Sequence, residues 1–588
     1  MEARTYMISE VIQRDRLLRI PYFQRRYVWE RKDWERFAMD MESTLDSESN
    51  YFLGAIILKD ETTSLQDRRN GVGRKQQVID GQQRLTTLAI YMKVLHMMTN
   101  RKQDFDNQYL QGTQLREPVI AHGCEDAQDF RKIMHLETPQ EHIEGAGNII
   151  DAYNFFREYL EKAKSQISLE DLLNTVNSSV TFVGINLTRE DNEQRIFDTI
   201  NSLGVPLTTG ELMKNFLYEA EDEDVYNRTW KLVFDTDEAR TFWESGAAKS
   251  RQEKSKDNTI IERFFHAFVR IKMWDFKDQL TESQRKNFVK ISNVFETCKA
   301  FVEKFGMNKQ ELASEILTYA QLYREHLSED ILDTRIPKHS GIKRISCLIN
   351  ATQKYAVIPY VLYVLNTQKD ELERTAIFDF LETYLMRRIL ADSESKSYSE
   401  MFPESFISNR LTTAASLKDF IMNKSPEVNL AMPANGTIKL KVKTRTKSID
   451  ERTARLIFYM YETKLTSASE GSFTGGYNDY VSETLMPKVT KADNPHWPKH
   501  RDNTHKEEER KQQIGTLGNM FLVKAEGKKE LKKTSESDCP TKVVTLQKWS
   551  EGVRSNTILE HLTSWTKENI MSRNDGLADV MSRNIWTI

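Results

Sequence analysis

At 588 residues the chain is too long for one ordinary core, so two to four domains are expected. Its 39% hydrophobic and 29% charged residues describe a soluble globular protein with charged surface segments. The net charge of −3 selects no class of partner, although local basic clusters keep their meaning.

Four cysteines, Cys124, Cys298, Cys347 and Cys539, form no CxxC, which argues against a zinc or disulfide framework and fits a reducing cytoplasm. The first twenty residues lack the apolar core of a signal peptide, and no apolar run approaches a membrane span. A cytoplasmic protein with no membrane partner is the expectation.

Residues 1–60 read as a short helix, a loop, a helix and a strand. In RKDWERFAMDMESTL, Trp34, Phe37, Ala38 and Met41 fall at i, i+3, i+4 and i+7, one face of a helix. YFLGAIIL (51–58) predicts a buried strand. Residues 59–75 are polar and contain glycine, a loop before a second strand, QQVID. Leu85, Leu88, Ala89, Met92 and Leu95 then repeat the helical stripe.

Residues 101–180 predict a helical insertion, and VTFVGINL (180–187) a strong strand. Residues 192–218 read as helix, Gly-Pro turn, helix, the second capped by Thr208 or Thr209. Residues 219–400 are almost wholly helical, with a polar surface loop at 241–258. Composition shifts near 400, after which PEVNLAMPANG reads as a connector.

TIKLKVKTRTKS places a cation at every second position: Lys439, Lys441, Lys443, Arg445 and Lys447. On a strand that spacing puts five cations on one face. The face suits a phosphate backbone. It equally suits an edge strand protected by lysine. Residues 488–533 are polar and lysine-rich, expected as loops, and the lysines of 524–533 also suit phosphate. The chain ends in helices. Domains are expected at 1–220, 221–400 and 401–588.

The chemistry concentrates in VIDGQQRLTTL, where a strand meets a helix. A glycine there lets backbone approach a ligand, and the helix start offers unpaired N–H groups and a positive dipole end. Arg84 can grip phosphate oxygens with two parallel hydrogen bonds. Asp80 can orient a water or a hydrated magnesium ion. Gln82 and Gln83 can hold a nucleophilic water or read a base edge. The plain alternative is a helix capping box, Asp80 to Gln83, with Arg84 on the surface. Two further polar segments stand apart: RIPYFQRRYVWE, with Gln24, Arg25, Arg26 and Tyr27, and NSLGVPLT, with Asn201 and Ser202 at a turn. Each also reads as ordinary packing or turn chemistry.

Together IPYFQRRYVWE, YFLGAIIL, VIDGQQRLTTL and IFDTINSLGVPLTTGELMKNFL resemble, in order and spacing, the amino-terminal domain of GmrSD-type proteins. These are modification-dependent restriction enzymes and relatives in phosphorothioate-linked and other phage-defence systems. The resemblance covers roughly residues 1–220. It implies a ParB/sulfiredoxin-like α/β domain whose DGQQR motif binds and hydrolyses a nucleoside triphosphate with Mg2+. Asp80, Gln82 and Gln83 are then the catalytic candidates. Gly81, Arg84, Gln24, Arg25 and Asn201 are the nucleotide-binding ones.

The resemblance also implies a following HNH-type nuclease, with a Glu-His-Ile-x-Pro segment, a Trp, Leu-Gly-Asn-Leu and a further Asn or His. Here SETLMPKV, NPHW and IGTLGNMFLV hold that frame, but Thr484 stands at the histidine position. A threonine hydroxyl cannot serve as general base near neutrality. Nothing after Asn519 in KAEGKKELKKTSESD supplies the last residue. His496, His500 and His505 could form a displaced metal cluster, but their spacing is irregular and a polar loop suits them.

The expected chain is therefore a predominantly helical α+β protein with a ParB/sulfiredoxin-like start, a helical middle and a degenerate HNH-like end. DNA, modified or unmodified, is its expected partner. The alternatives are an active modification-dependent endonuclease with a rearranged metal site, and a non-enzymatic subunit that partners a nuclease. Homo-oligomers are compatible with each.

Overall fold

The computed structural model describes the chain except residues 1, 48, 113–116, 124–125, 140–141, 188–207, 220–221, 246–258, 289–293, 394–397, 399–401, 425–429, 445–447, 467–472, 488–495 and 498–503. The chain is a predominantly helical α+β protein and divides into two compact units, Met1–Thr236 and Asp237–Ile588.

The first unit is built on a mixed six-stranded sheet of order β1-β6-β3-β4-β2-β5. Its strands are β1 (Glu2–Met7), β2 (Arg16–Arg19), β3 (Tyr51–Asp60), β4 (Arg74–Asp80), β5 (Ile120–Ala121) and β6 (Val180–Leu187). β3 runs parallel to β6 and antiparallel to β4, and β2 runs parallel to β4. The segments 51–58, 76–80 and 180–187 form strands β3, β4 and β6 as expected.

The expected short opening helix is present as a single turn, but two strands absent from the sequence reading, β1 and β2, flank it. β1 reads poorly as a strand because only Tyr6 of EARTYM is buried among the residues whose side chains are described. Its pairing with β6 holds it in place. A one-turn helix, Ile8–Val11, follows. The expected loop at 59–75 also contains a short helix, Leu65–Arg69, capped by Ser64.

One face of the sheet, with Leu18, Ile56, Leu58, Val78 and Phe182, buries the helix Gln82–Met98. That helix is enclosed on its other sides by Lys102–Tyr109, Asp126–Met134, Asn148–Ala163 and Leu169–Ser179. This is why it is apolar nearly all round, beyond the single stripe read from sequence. Each Leu or Met so buried contributes roughly 1.5–3 kcal/mol.

Among the described residues the second unit is helical apart from one antiparallel strand pair, β7 (Tyr480–Thr484) against β8 (Met520–Lys524). Its packing continues through the composition shift near 400: the helix Ile342–Thr352 contacts both Glu371–Leu390 and Glu451–Leu465. Part of the expected loop at 241–258 is the end of the helix Asp237–Glu244, and 246–258 lie outside the described residues. The expected loops of 488–533 contain the helices Thr504–Ile514 and Lys528–Lys533 around β8.

The basic strand at 439–447 is corrected. Asn435–Lys443 is a helix, and Arg445 and Lys447 lie outside the described residues. Ile438 and Val442, at i and i+4, bury against the helix Lys567–Val580, while Leu440 faces solvent. Tertiary packing thus overrides the alternation that reads as a strand.

Candidate functional site

β4 ends at Asp80, and Gly81 turns the chain at φ +96° into the helix Gln82–Met98. A Cβ at Gly81 would stand 2.7 Å from Ile56 Cγ2, so the turn requires glycine. The helix start carries no side-chain cap. The Asp80-to-Gln83 capping box is absent, and both side chains are engaged elsewhere.

Asp80 Oδ2 accepts from Arg84 Nη2 at 3.1 Å, and each side chain keeps about a quarter of its surface in water. Gln83 reaches the opposite way. Its Nε2 donates to the Arg26 carbonyl at 2.9 Å, and its Oε1 accepts from the Val28 amide at 2.9 Å. Gln82 Nε2 donates to the Arg25 carbonyl at 3.1 Å. Gln24 Nε2 donates to the carbonyls of Val78 at 2.7 Å and Ile79 at 3.2 Å, on β4 itself. Three glutamine amides therefore lace residues 24–28 onto the strand–helix junction. The structure brings Gln24 and Arg25 to Asp80–Arg84; Asn201 lies outside the described residues.

A buried chain of hydrogen bonds supports this lacing. Trp34 Nε1 donates to the Tyr27 hydroxyl at 2.8 Å, and that hydroxyl lies 2.7 Å from Thr87 Oγ1. Thr87 Oγ1 donates to the Gln83 carbonyl at 2.7 Å. The Tyr27 amide donates to Asp126 Oδ2 at 2.7 Å. Burial pushes the Tyr27 phenol well above its usual range, so it stays protonated. His122 Nε2 lies 3.0 Å from Thr86 Oγ1, and burial pushes its pKa down to about 3, so the ring is neutral. Thr87, Asp126 and His122 were not legible as site residues, because their partners lie far along the chain.

The junction offers an uncapped helix start, a glycine turn and one arginine, an arrangement suited to an anion. Arg84 makes one hydrogen bond among the described residues, to Asp80. The donor set also bears on a metal. Among the described residues no group of three His, Cys, Asp or Glu could hold an ion.

In the second unit's strand pair, Thr484 pairs with Met520 across β7 and β8, beside Asn519. Asn519 is wholly buried. Its Nδ2 donates to the carbonyls of Met486 at 2.8 Å and Ile514 at 3.0 Å. Its Oδ1 accepts from the Met486 amide at 2.8 Å and Trp565 Nε1 at 3.0 Å. Both donors and both acceptor positions of the amide are thereby used. Arg573 clamps the same turn, donating to the carbonyls of Gly518 at 2.9 Å and Met520 at 2.6 Å. His496 is exposed; nothing is described for His500 or for the side chain of His505.

The basic residues are unequal. Lys439 pairs with Asp579 at 2.9 Å and Lys443 with Asp575 at 2.5 Å, while Lys441 is exposed. Lys528, Lys529, Lys532 and Lys533 are exposed on their short helix. No described helix is long and apolar enough to cross a membrane.

No curated protein matches the chain. Residues 8–218 match the family model described as GmrSD restriction endonuclease, N-terminal domain, and over that stretch the chain is similar to those enzymes.

Proposed function

We propose that the chain is a phage-defence or DNA-restriction protein whose first unit binds and hydrolyses a nucleoside triphosphate at the Asp80–Arg84 junction. The observation that carries this reading is the uncapped start of the helix Gln82–Met98, with Arg84 held beside it by a single half-buried contact. The match of residues 8–218 to a restriction-enzyme domain supports the same reading.

Phosphate oxygens would meet the first-turn amides and Arg84, and Gly81 lets them approach the backbone. Arg84 then exchanges Asp80 for phosphate, which releases the Asp80 carboxylate to orient the attacking water. A magnesium ion, when bound, supplies charge neutralisation to the phosphates, and Asp80 is the described residue that fits it. Gln82, Gln83 and Gln24 are assigned to positioning, because their amides hold residues 24–28 in place.

DNA contact is assigned to the second unit, through Lys441 and the lysines of 528–533. The strand pair is read as a nuclease frame that does not cut. Thr484 replaces the base, and Asn519 spends its whole amide on the fold.

Two assays test this. Phosphate release from ATP, GTP, CTP and UTP, with and without DNA, should show turnover of at least one nucleotide, lost in Asp80→Ala. A nicking assay on modified and unmodified DNA with magnesium or manganese should show no cleavage by the protein alone. Cleavage abolished by His496→Ala would establish a displaced catalytic cluster instead.

A further inference from the structure

β3 carries an irregularity beside the junction. Its register with β6 shifts between Phe52 and Gly54, and Gly54 adopts φ +123°, a conformation L residues rarely take. A Cβ at Gly54 would overlap Arg84 Nη1 and stand 3.2 Å from Cζ and 3.3 Å from Cδ. The guanidinium thus lies against bare backbone at the one residue of β3 where no side chain projects. Ile56, two residues on, packs against Gly81. A short piece of one strand therefore touches both the turn and the arginine.

We infer that Gly54 is the positioning residue for Arg84. The bulge and the missing side chain form a flat shelf that sets the height and tilt of the planar guanidinium, with Nη2 against Asp80. An arginine side chain left free would lose rotamer freedom on gripping an anion. The shelf orders it in advance. This inference rests on the phosphate-site reading above, and it assigns that site's geometry to a residue on a different strand from the motif.

The test is a double-mutant cycle in the full chain, with inorganic triphosphate as probe and calorimetry as readout. Gly54→Ala should weaken triphosphate binding ten-fold or more. Arg84→Ala should weaken it at least as much, and G54A/R84A should bind no worse than R84A, because the loss passes through Arg84. Additive losses, or wild-type affinity in G54A, would overturn the inference. Unchanged affinity in R84A would instead overturn the phosphate site itself. Melting temperatures give a second readout. The strain at φ +123° is common to both backgrounds, whereas the overlap requires Arg84. Arg84 Nη1 is the far end of a flexible side chain and can swing aside, so Gly54→Ala should cost the two backgrounds similar stability while lowering affinity only where Arg84 is present. If G54A loses its fold but G54A/R84A does not, the overlap with Arg84 is confirmed by stability instead, and loss of fold in both would overturn the inference.

Discussion

Arg84 meets Asp80 through one nitrogen at 3.1 Å, with both side chains 26% exposed. Arg344 meets Glu382 through two, at 2.7 and 2.9 Å, with both side chains at 0%. Glu382 also accepts from Trp586 Nε1 at 3.1 Å and pairs with Lys464 at 3.3 Å. Arg344 also donates to Thr463 Oγ1 at 3.1 Å and the Met460 carbonyl at 3.0 Å. Both are guanidinium–carboxylate pairs, but the first is one half-buried contact still wetted by solvent, and the second is saturated and dry. Removing one partner of a dry pair leaves an uncompensated buried charge. Opening the wet pair returns both groups to water. The first unit thus holds an arginine available to a ligand, and the second holds one committed to the fold.

The largest effect should come from the dry pair. Glu382→Ala strands Arg344 and Lys464, and should lower the unfolding free energy by about 3–5 kcal/mol in urea titrations. Burial is the largest influence and raises the Glu382 carboxyl, but Arg344, Lys464 and Trp586 Nε1 together outweigh it and hold the group below the ordinary glutamate range. A depressed folded pKa contributes stability above the unfolded value and loses it as pH falls through the folded one. Wild-type stability should therefore fall more steeply than that of Glu382→Gln on acidification below the usual glutamate pKa. Parallel curves would show that the two arginines differ less than their burial says.

Asn519→Ala comes next. It strands buried donors and acceptors of Met486, Ile514 and Trp565, and should cost on the order of 3 kcal/mol. A stable Asn519→Ala protein with altered DNA chemistry would instead mark this residue as one held for a ligand. Arg84→Ala should shift stability by less than about 1 kcal/mol, as solvent-accessible pairs do. The smallest effect on folding belongs to Lys441→Ser, within about 0.5 kcal/mol. Its effect should appear in DNA binding, as a shallower salt dependence by up to about 0.9 for one lost phosphate contact. Lys439→Ser, whose lysine is already paired with Asp579, should change that slope less.

Much of the first unit's fold was legible. β3 and β6 are rich in Ile, Leu, Val and Phe, β4 ends in Val78-Ile79 before Asp80, and the stripe from Leu85 to Leu95 marks the central helix. Thr208 caps its helix as expected, accepting from Glu211 at 3.3 Å. β1 and β2 were not legible, because they are short and polar and owe their form to their neighbours. TIKLKVK misled because burial of Ile438 and Val442 against another helix decides its form.

At the junction, the strand, glycine and helix were legible and the side-chain partners were not. The Asp80-to-Gln83 spacing suits a capping box, yet Gln83 bonds to Arg26 and Val28. Local spacing cannot reveal a backbone partner that only the fold brings near. Gly54 left a trace, a glycine inside an apolar strand run, which signals a bulge or a close backbone approach.

The most direct measurement is calorimetric titration of wild type and Arg84→Ala with each nucleoside triphosphate in magnesium, beside a melting curve of both proteins. The account predicts that at least one triphosphate binds the wild type. It predicts that Arg84→Ala loses about thirty-fold or more in affinity, about 2–3 kcal/mol for a charge-assisted contact. The melting curves should nearly coincide. Equal affinities in the two proteins, or no triphosphate binding by the wild type, would contradict it and return Arg84 to an ordinary surface ion pair.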